Sequence, residues 1–446
     1  MAEALEGQSA AVQRIDWRPP AGGDPHDVRL LTTLAGDDVE AANTLALQRL
    51  QASRPMLHGV GRAGDLIPGL DGRLVLHAGP VIEWQRMCAA QQHAVVGACL
   101  LEGWAASDEE ARAKLDAGSI ALAPAHSLGA AGAMTGIISP SMAVWHVTDE
   151  TTGISAWSPL CDGSGDSFWL GVGNAAAVDR QRLMADQVAP GLDAALKSRG
   201  PLDVFGLCAQ AIAMGDDCHM RHQAATMLLM RDLLPAMAEV APQSVGPTLS
   251  VTSPNGHFAL TLSIASGRAA LAGILGIPNC TVVAFISRNG VDAAVKIAGL
   301  PDQWFVAPAL QVGDALYRPG FGDADATADI GDSALVECVG LGGAASAASP
   351  GVAAFLGGGL SDALERTRMM GDICVGESER FRIPVLDGQG TPIGVDARAC
   401  LALRQTPLIN TGILHRTDGG QIGAGIAHIP LEPFRDALEG LASRRG

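Results

Sequence analysis

The sequence has few aromatic residues and very few lysines. Aromatic residues make up 4% of the 446 positions, with a single tyrosine, whereas glycine occurs 55 times. Small residues must therefore fill much of the interior, which favours close backbone packing and glycine-rich loops over a groove lined with aromatic rings. Only three lysines accompany 27 arginines, so recognition of anions falls to Arg, to His or to backbone N–H groups.

The shortage of positive charge excludes one large class of partners. The net charge is −17, with 47 acidic residues against 30 basic ones. Nucleic acid binding needs basic surface to neutralise phosphates, so we expect no nucleic acid partner. Hydrophobic residues make up 48% of the chain and charged residues 17%. This length and composition predict two or three domains with large buried cores.

No segment is typical of a membrane span or a secretion signal. Residues Ala117–Thr148 contain no Asp, Glu, Lys or Arg, but prolines, glycines and two histidines interrupt them. A spanning helix needs about 20 mainly apolar residues and tolerates such breaks poorly. The N-terminus is acidic and polar, and the nine cysteines form no C-x-x-C pair, which is typical of reduced thiols. We therefore expect a cytoplasmic protein with no membrane partner.

The chain is expected to be a multidomain α/β protein. A polar, loose tail is predicted at residues 1–26. Residues 27–174 alternate strand-like and helix-like segments, which predicts an N-terminal Rossmann-like α/β part with a parallel sheet. Residues 175–242 have apolar positions three and four apart, which predicts a small helical subdomain. Residues 243–446 are strand-like and rich in glycine, which predicts a C-terminal α/β domain.

A dinucleotide-type glycine pattern is present but weak. Gly59-x-Gly61-x-x-Gly64 follows the first predicted strand, which is the position of a phosphate-binding loop. The predicted helix after it is short, and a chance match is expected in so glycine-rich a chain. We therefore predict no cofactor from this pattern.

The segment "MGDDCHMRHQAAT" (Met214–Thr226) holds two acids, two histidines, an arginine and a cysteine before an apolar run. The pattern predicts a helix that begins at Asp216 and Asp217, with an acid as its N-cap. In such a helix Cys218 and His222 share one face.

Two interpretations of this helix start remain open. A helix N-terminus that carries Arg221 and His219 binds anions and lowers the pKa of a first-turn cysteine. Alternatively, four side chains supply part of a metal site, namely Asp216, Cys218, His219 and His222. We favour the anion site, because it uses more of these residues.

In five segments, polar residues lie beside glycine after a predicted apolar strand. A sixth candidate, His77, lies at the end of an earlier predicted strand. Any one such segment is an ordinary turn, but five of them predict loops that converge on a small polar ligand. The candidates are His77 in "HAGPVIEWQRMC", His126 in "PAHSLGAAGAM", Asn255 and His257 in "SPNGHF", Arg288 and Asn289 in "SRNG", Asp332 in "DIGDSA", and Asn410, His415, Arg416, Gln421, Gly423 and Gly425 in "INTGILHR…GGQIGAG".

Taken in order, these segments resemble the AllG (YlbE-like) family. The resemblance covers about residues 37–435, and its motifs are dispersed along the chain in the same order. They are "ANTLALQRLQASRP", "LHAGPVIEWQRMC", "LLEGWA", "ISPSM", "MGDDCHMR", "SRNG", "DIGDSA", "GLGG" and "INTGILHR…GQIGAG".

The resemblance implies a carbamoyltransferase that acts with companion subunits in allantoin degradation. The implied reaction converts a ureido acid such as oxalurate and phosphate into oxamate and carbamoyl phosphate, or the reverse. The implied partners are a small anionic substrate, companion subunits and further copies of the chain. A family fold of α/β parts and a small helical bundle is also implied.

Such a reaction needs anion-binding groups, donors for an oxyanion and a proton-transfer group, but no redox cofactor. For proton transfer and other catalytic roles we expect His219, His257, His415 and Asp332, with Cys218 as a less favoured nucleophile. For anions we expect Arg288, Arg416 and the helix start with Arg221, and for N–H donors the Gly420–Gly425 segment. Two alternatives stay open: a metal-assisted hydrolase of a cyclic ureide or amide, and a non-catalytic partner subunit.

Overall fold

A computed structural model of the chain describes residues 19–445, and most of the predicted tail lies outside the described residues. The strands of this part are β1 (Pro55–Arg62), β2 (Leu74–His77), β3 (Ala121–Pro124), β4 (Ala143–Asp149), β5 (Ile154–Pro159), β6 (Leu202–Asp203), β7 (Val283–Asn289), β8 (Asp292–Ile297), β9 (Phe305–Pro308), β10 (Gly313–Tyr317), β11 (Ile330–Gly331), β12 (Cys374–Ile383), β13 (Gln389–Val395), β14 (Ile409–Leu414) and β15 (Gln421–Ala427).

The α-helices lie before, between and after these strands, singly or in runs of up to four. They are α1 (Pro25–Thr33), α2 (Asp37–Ala52), α3 (Ala63–Leu66), α4 (Ala89–Leu101), α5 (Asp108–Asp116), α6 (Ala175–Leu183), α7 (Ala189–Arg199), α8 (Val204–Ala213), α9 (Gln223–Val240), α10 (Val245–Thr252), α11 (Leu260–Ala272), α12 (Leu335–Cys338), α13 (Pro350–Phe355), α14 (Leu360–Asp372), α15 (Ala397–Leu403) and α16 (Glu432–Arg445). A π-helical turn joins α6 to α7.

The strands form several small sheets rather than one large one. The three larger sheets have the strand orders β5-β4-β1-β6, β10-β15-β14 and β11-β7-β8-β9, and all of their paired strands are antiparallel. The pair β12-β13 is antiparallel as well, whereas β2 and β3 run parallel. The mixed α/β class is thus confirmed.

The Rossmann-like prediction for the N-terminal part is wrong. The strand β1 pairs antiparallel with both β4 and β6. Gly59 and Gly61 lie inside this strand, so they form no loop around a phosphate. A period-2 apolar pattern does not distinguish parallel from antiparallel pairing, because that choice depends on partners far along the chain.

A buried helix, α11, connects two of the sheets. Nearly all its residues are buried, and it packs against β1, β4 and β5 on one side and against β7 on another. A helix that is apolar on all sides belongs in the interior of a large core. Its first residue, Leu260, lines the cavity described below. Its one arginine, Arg268, lies further along the helix and contacts the ring of Phe285.

One large hydrophobic core extends through the described chain. It includes Leu30 from the first predicted domain, Met184 from the predicted helical subdomain and Phe258 from the third. Two smaller clusters lie under residues 63–178, around Val95 and around Leu76. The helices α6 to α9 occupy the range predicted to be helical. The predicted domain boundaries stay a prediction.

No helix within residues 19–445 is long and apolar enough to cross a membrane.

We predict that Asp162 makes stability fall between pH 4 and pH 6. Its buried Oδ2 accepts hydrogen bonds from the Phe168 N–H and from Gln181 Nε2, both at 2.8 Å, and burial raises the Asp162 pKa from 3.8 to about 6. The folded state therefore holds the proton more tightly than the unfolded state. The stabilisation from this bound proton is complete below the Asp162 pKa of the unfolded state. It is lost as the pH rises through the Asp162 pKa of the folded state.

Urea unfolding at a series of pH values measures the effect. Relative to the Asp162→Asn variant, the wild-type protein should lose on the order of 2–3 kcal/mol of unfolding free energy across this window. Parallel pH profiles for the two proteins would contradict the assignment.

Candidate active site

A cavity of about 650 Å³ lies between residues 214–222, the start of α11, helix α13 and the sheet β10-β15-β14. The segment that carries Trp169 and Leu170 lines it as well. The polar wall residues are His219, Arg221, Gln223, His257, Tyr317, Arg318, Ser333, Asn410, Thr411 and Gln421. No Asp or Glu of residues 19–445 is among the wall residues, although the protein has a net charge of −17. The cavity therefore favours an anionic ligand.

The buried carboxylate of Asp217 holds the loop that carries two of these wall residues. Its Oδ1 accepts hydrogen bonds from the backbone N–H groups of His219, Met220 and Arg221, at 3.1, 3.0 and 2.8 Å. Three convergent donors on one carboxylate oxygen fix the backbone of the loop. The side chains of His219 and Arg221 therefore reach the cavity from a rigid turn.

The predicted helix start at Asp216 is wrong, because the helix α9 begins at Gln223. Cys218 has a φ of +57°, in the left-handed region, which breaks any helix at this point. Asp216 still acts as a cap from a distance, since its Oδ2 accepts a hydrogen bond from the Ala225 N–H in the first turn of α9. Side-chain bonding to nearby backbone N–H groups is the usual competitor of helix formation for Asp.

His219 forms a buried pair with Glu337 of α12. The His219 Nδ1 lies 2.6 Å from the Glu337 Oε1, and the same oxygen accepts the Gly343 N–H at 3.1 Å. Burial raises the pKa of Glu337, while the adjacent His219 opposes that shift. Because Nδ1 is used by the carboxylate, Nε2 is the nitrogen left for a ligand in the cavity.

A glycine makes room for this pair. Gly342 has a φ of +58°, and a Cβ at this position would collide with the Glu337 carboxylate and press on the Cβ of His219. The "GLGG" motif is thus explained by the close approach of the backbone to the His219–Glu337 pair.

His257 supports the loop from the opposite wall. Its Nε2 donates a hydrogen bond to the carbonyl of Met220 at 2.9 Å, and its ring lies 6.0 Å from the ring of Trp169. Burial lowers the pKa of His257. At neutral pH the ring is therefore uncharged, with Nδ1 as a hydrogen-bond acceptor. Such a ring can position the loop, but it cannot neutralise the charge of an anionic ligand.

Two arginines supply positive charge to the cavity. The guanidinium of Arg221 is partly exposed and lies 3.4 Å from the Asp216 carboxylate. Arg318 follows β10, is exposed, and its backbone N–H donates to the Ile422 carbonyl at 2.8 Å. The two side chains come from elements far apart in sequence, and both line the cavity.

Asn410 lines the cavity and has an unused acceptor. Its Nδ2 donates to the Asp217 Oδ2 at 2.9 Å, which fixes the orientation of the amide. Its Oδ1 is buried and has no hydrogen-bond partner in the structure. A buried polar atom without a partner is uncommon and indicates a missing donor.

The segment "GGQIGAG" is a strand rather than a loop of free N–H groups. Residues Gln421–Ala427 form β15, which pairs with β14 on one side and with β10 on the other. The prediction that Gly423 and Gly425 donate N–H groups to an oxyanion is therefore wrong. Gly423 and Gln421 still line the cavity, whereas Gly425 packs against β10.

Cys218 does not reach the cavity. Its side chain is fully buried, and its Sγ contacts the Cys208 carbonyl at 3.9 Å. The contact with Cys208 and burial raise the pKa of this thiol. A thiol that resists ionisation is a poor nucleophile, so the structure contradicts the predicted lowering of its pKa.

The structure does not gather the predicted metal ligands. Within residues 19–445, the set Asp24, His26 and Asp27 is the one group of three or more candidate side chains whose ligand atoms lie close together. The ring of His222 is fully buried without a hydrogen bond, and burial lowers its pKa. The set around Asp216 therefore lacks the geometry of a metal site.

Several other predicted residues have structural roles away from the cavity. His415 accepts hydrogen bonds from Thr417 and Asp418 in the turn between β14 and β15, and Arg416 is exposed and donates to the Ala324 carbonyl. Three other predicted residues bond to the backbone, and the first of them, His77, donates from Nδ1 to the Ala78 carbonyl. Asn255 donates to the Cys161 carbonyl and accepts from the His257 N–H. Asn289 donates to the Pro80 carbonyl and accepts from the N–H groups of Val291 and Asp292.

Arg288 is a structural clamp. Its guanidinium forms two hydrogen bonds to Asp329, at 2.7 and 3.2 Å, and a third to the Gly331 carbonyl. The side chain is fully buried, so no donor faces a ligand. The prediction that it binds an anion is wrong, because its positive charge is already neutralised by Asp329. Asp332 and His126 lie together behind the cavity wall.

Sequence reasoning missed Glu337, Arg318, Trp169 and Tyr317. Glu337 carried a signal, since it is a single acid in the apolar run "ALVECVG". A charge in such a run is buried and needs a partner. Arg318, Trp169 and Tyr317 carried none, because they lie in turns and at a strand end whose position depends on the tertiary fold.

Comparison with known proteins gives the family of this chain. The model of the family described as "Oxamate carbamoyltransferase subunit AllG" matches residues 120–333. The Escherichia coli protein of the same name is 38% identical over 415 residues, which are 92% of this chain and 99% of that protein. The chain belongs to the AllG family.

Two further relatives have no assigned function. The uncharacterized protein YahG of Escherichia coli is 35% identical over 449 residues, covering 99% of this chain and 95% of that protein. The crystal structure of a conserved protein of unknown function from Enterococcus faecalis V583 superimposes with a TM-score of 0.88 at 33% identity, covering 91% and 98% of the two chains. The AllG fold is therefore shared along nearly the whole length.

We predict that Arg288 stabilises the AllG fold rather than binding substrate. The Arg288→Gln substitution leaves Asp329 as a buried charge without its partner, which should lower the unfolding free energy by about 3–5 kcal/mol. The exposed Arg416→Gln variant is the matched control and should change it by less than about 0.5 kcal/mol. Urea unfolding measures both, and equal stabilities would refute the clamp.

Proposed function

We propose that this chain is the substrate-binding subunit of an oxamate carbamoyltransferase, and that it carries the chemistry in its cavity. The reaction is carbamoyl transfer between a ureido acid of the oxalurate type and phosphate, which gives oxamate and carbamoyl phosphate. The carrying observation is the cavity of about 650 Å³, whose wall has two arginines and two histidines but, among residues 19–445, no Asp or Glu. Family membership supports the choice of reaction.

Arg221 and Arg318 are the groups that hold the substrate anions. Both line the cavity, and they come from different elements. Arginine suits carboxylate and phosphate groups because its fork of N–H donors matches two oxygens at once. Asp216 lies beside Arg221 at 3.4 Å and orients it without entering the cavity wall.

Asn410 is the group that recognises the carbamoyl amide. Its Oδ1 is a buried acceptor without a partner, and a carbamoyl or ureido N–H supplies the missing donor. The contact with Asp217 keeps the amide from turning. A ligand that lacked this N–H would leave the acceptor unsatisfied, which discriminates strongly between similar ligands.

His219 is the proton-transfer group. Phosphate attack on the carbamoyl carbon forms the new C–O bond, and the C–N bond to the oxamate nitrogen then breaks. That nitrogen leaves as an amide and takes a proton, which the Nε2 of His219 supplies after accepting the proton from the attacking phosphate. The buried Glu337 orients the ring through its contact with Nδ1, so that Nε2 is the nitrogen that transfers the proton.

The cellular setting follows the same proposal. The named relative is a subunit of its enzyme, so we infer companion subunits for this chain. None of its nine cysteines is paired with another, which fits a reducing, cytoplasmic compartment. The chemistry described needs no redox cofactor.

One prediction of the proposed function concerns His219. His219→Asn should lower kcat by about 10²–10⁴-fold, because the leaving nitrogen loses its proton donor, while KM changes little. Glu337→Gln keeps the shape of the side chain and should lower kcat less. The measurement is carbamoyl phosphate formation from oxalurate and phosphate.

The matched control is His415→Asn, in which the replaced histidine lies outside the cavity. It should retain the wild-type kcat. Equal loss in the His219 and His415 variants, or none in either, would remove His219 from the mechanism.

Another prediction of the proposed function concerns the two cavity arginines. Arg221→Gln and Arg318→Gln should each raise the KM for oxalurate about tenfold or more, because each removes a charge-assisted hydrogen bond. The exposed Arg416→Gln variant is the control and should keep the wild-type KM. An unchanged KM in both cavity variants would argue against an anionic ligand in this cavity.

The same assay separates the alternatives when the chain is tested alone and with companion subunits. Turnover by the chain alone supports the full proposal. Turnover only in the complex, but with His219→Asn inactive, keeps the chemistry in this cavity. A complex that stays active with His219→Asn identifies a non-catalytic subunit, and release of ammonia or carbon dioxide without carbamoyl phosphate identifies a hydrolase.

A further inference from the structure

A second arginine is buried away from the cavity without a partner. Arg268 lies on α11, eight residues beyond Leu260 and thus about 12 Å along the helix from the cavity wall. Its side chain is 8% exposed, and its Nε is buried without a hydrogen-bond partner. The guanidinium carbon lies 4.2 Å from the centre of the Phe285 ring. A buried charge with an aromatic face as its main neighbour is costly unless something else compensates it.

Two more cationic or protonatable side chains surround the same aromatic rings. The His126 side chain is 4% exposed, and neither of its ring nitrogens forms a hydrogen bond. The ring lies 5.3 Å from Phe285 and 5.1 Å from Trp304. The Lys296 Nζ lies 4.9 Å from the centre of the Trp304 ring and donates one of its three hydrogens to the Pro301 carbonyl. Arg268, Lys296 and His126 thus converge on one stacked pair of aromatic rings, 6.2 Å apart.

The facing carboxylate, Asp332, is already occupied. Its Oδ1 accepts hydrogen bonds from the Gly79 N–H and the Ser287 hydroxyl, and its Oδ2 accepts from the Gly132 N–H. The His126 Nε2 lies 3.2 Å from Oδ1 without the alignment of a hydrogen bond. Burial opposes ionisation of Asp332, but the adjacent His126 lowers the Asp332 pKa below its usual value. Asp332 therefore serves His126 rather than Arg268, whose Nε has no hydrogen-bond partner among residues 19–445.

The pKa shifts agree with an excess of positive charge. Burial lowers the pKa of Arg268 to about 10, and Asp332 only partly opposes this. Burial and the nearby Arg268 lower the pKa of Lys296, with Asp302 opposing the shift from the exposed side. Arg268 remains charged at neutral pH, and its repulsion of Lys296 is one that a bound anion would relieve.

A thin wall separates this cluster from the cavity. The Gly132 N–H binds Asp332, and Ala133 pairs with Gly331. On the other side of these two segments, Ala133 and Ser333 line the cavity. The two positive regions are therefore distinct, and they share the wall formed by residues 132–134 and 331–333.

We propose that Arg268, Lys296 and His126 form a second site for a small oxyanion, a phosphate or carboxylate group, behind the wall of the main cavity. The anion accepts hydrogen bonds from these three cationic or protonatable side chains. The proposal does not rest on the carbamoyltransferase assignment.

The test is phosphate binding by the full chain, measured by calorimetry in an Arg221→Gln/Arg318→Gln background that weakens anion binding in the cavity. This background should still bind phosphate. Adding Arg268→Met should lower the affinity about tenfold or more, and adding Lys296→Met should lower it less. Adding Arg416→Met, at an exposed position, is the matched control and should leave it unchanged.

A thermal readout distinguishes a binding role from a structural one. Without phosphate, Arg268→Met should raise the melting temperature, because it removes an unpaired buried charge. Phosphate should then raise the melting temperature of the background protein but not that of the Arg268→Met variant. A lower melting temperature for Arg268→Met in phosphate-free buffer would identify a structural cation and overturn the proposal.

Acetate separates the two possible sources of the oxyanion. Binding of acetate but not phosphate assigns the site to a carboxylate, and binding of phosphate alone assigns it to a phosphate group. Failure of both anions to bind the background protein overturns the proposal. An Arg268→Met variant that leaves anion binding unchanged but weakens a complex with companion subunits would instead make the cluster a protein contact.

Discussion

The candidate site depends on one buried carboxylate, that of Asp217. It accepts three backbone N–H groups of the following loop with one oxygen and the Asn410 amide with the other. These four contacts set the direction of His219 and Arg221, and they leave the buried Asn410 Oδ1 without a partner among residues 19–445. Because a buried carboxylate is tolerated only when its oxygens are satisfied, the loop and β14 cannot separate without a large cost. The geometry of the candidate site and the local fold therefore depend on the same set of hydrogen bonds.

A second regularity is that acids lie behind the cavity wall and cations lie on it. Asp216 contacts Arg221, and Glu337 contacts His219, yet neither acid is a wall residue. In a protein of net charge −17, this layering lets negative charge orient the cationic groups without repelling an anionic ligand from the cavity. The cluster at Arg268 has the same arrangement, with Asp332 held by hydrogen bonds to the wall.

Some of this could be predicted from the sequence, and the failures have identifiable causes. The mixed α/β class follows from the strand-like and helix-like segments. The position of His219, Arg221, His257 and Asn410 at the cavity follows from polar residues that adjoin apolar segments. The helix start at Asp216 could not be predicted, because Asp217 and the left-handed Cys218 favour a hydrogen-bonded loop over a helix. Arg288 was misassigned because sequence does not show that Asp329 neutralises it. Glu337 pairs with His219 across 118 positions, a distance that no local pattern reveals.

The central claim is that the cavity binds an anionic ureido acid. Its two arginines bind the carboxylate of the ligand, and Asn410 binds the carbamoyl N–H of the ligand. A crystal structure of the chain with oxalurate tests it most directly. The account predicts the ligand in the cavity, with its carboxylate held by Arg221 and Arg318, its carbamoyl nitrogen within hydrogen-bond distance of the Asn410 Oδ1, and the His219 Nε2 next to the nitrogen that leaves. Oxalurate bound elsewhere, or bound in the cavity with its carboxylate directed away from both arginines, would contradict the account.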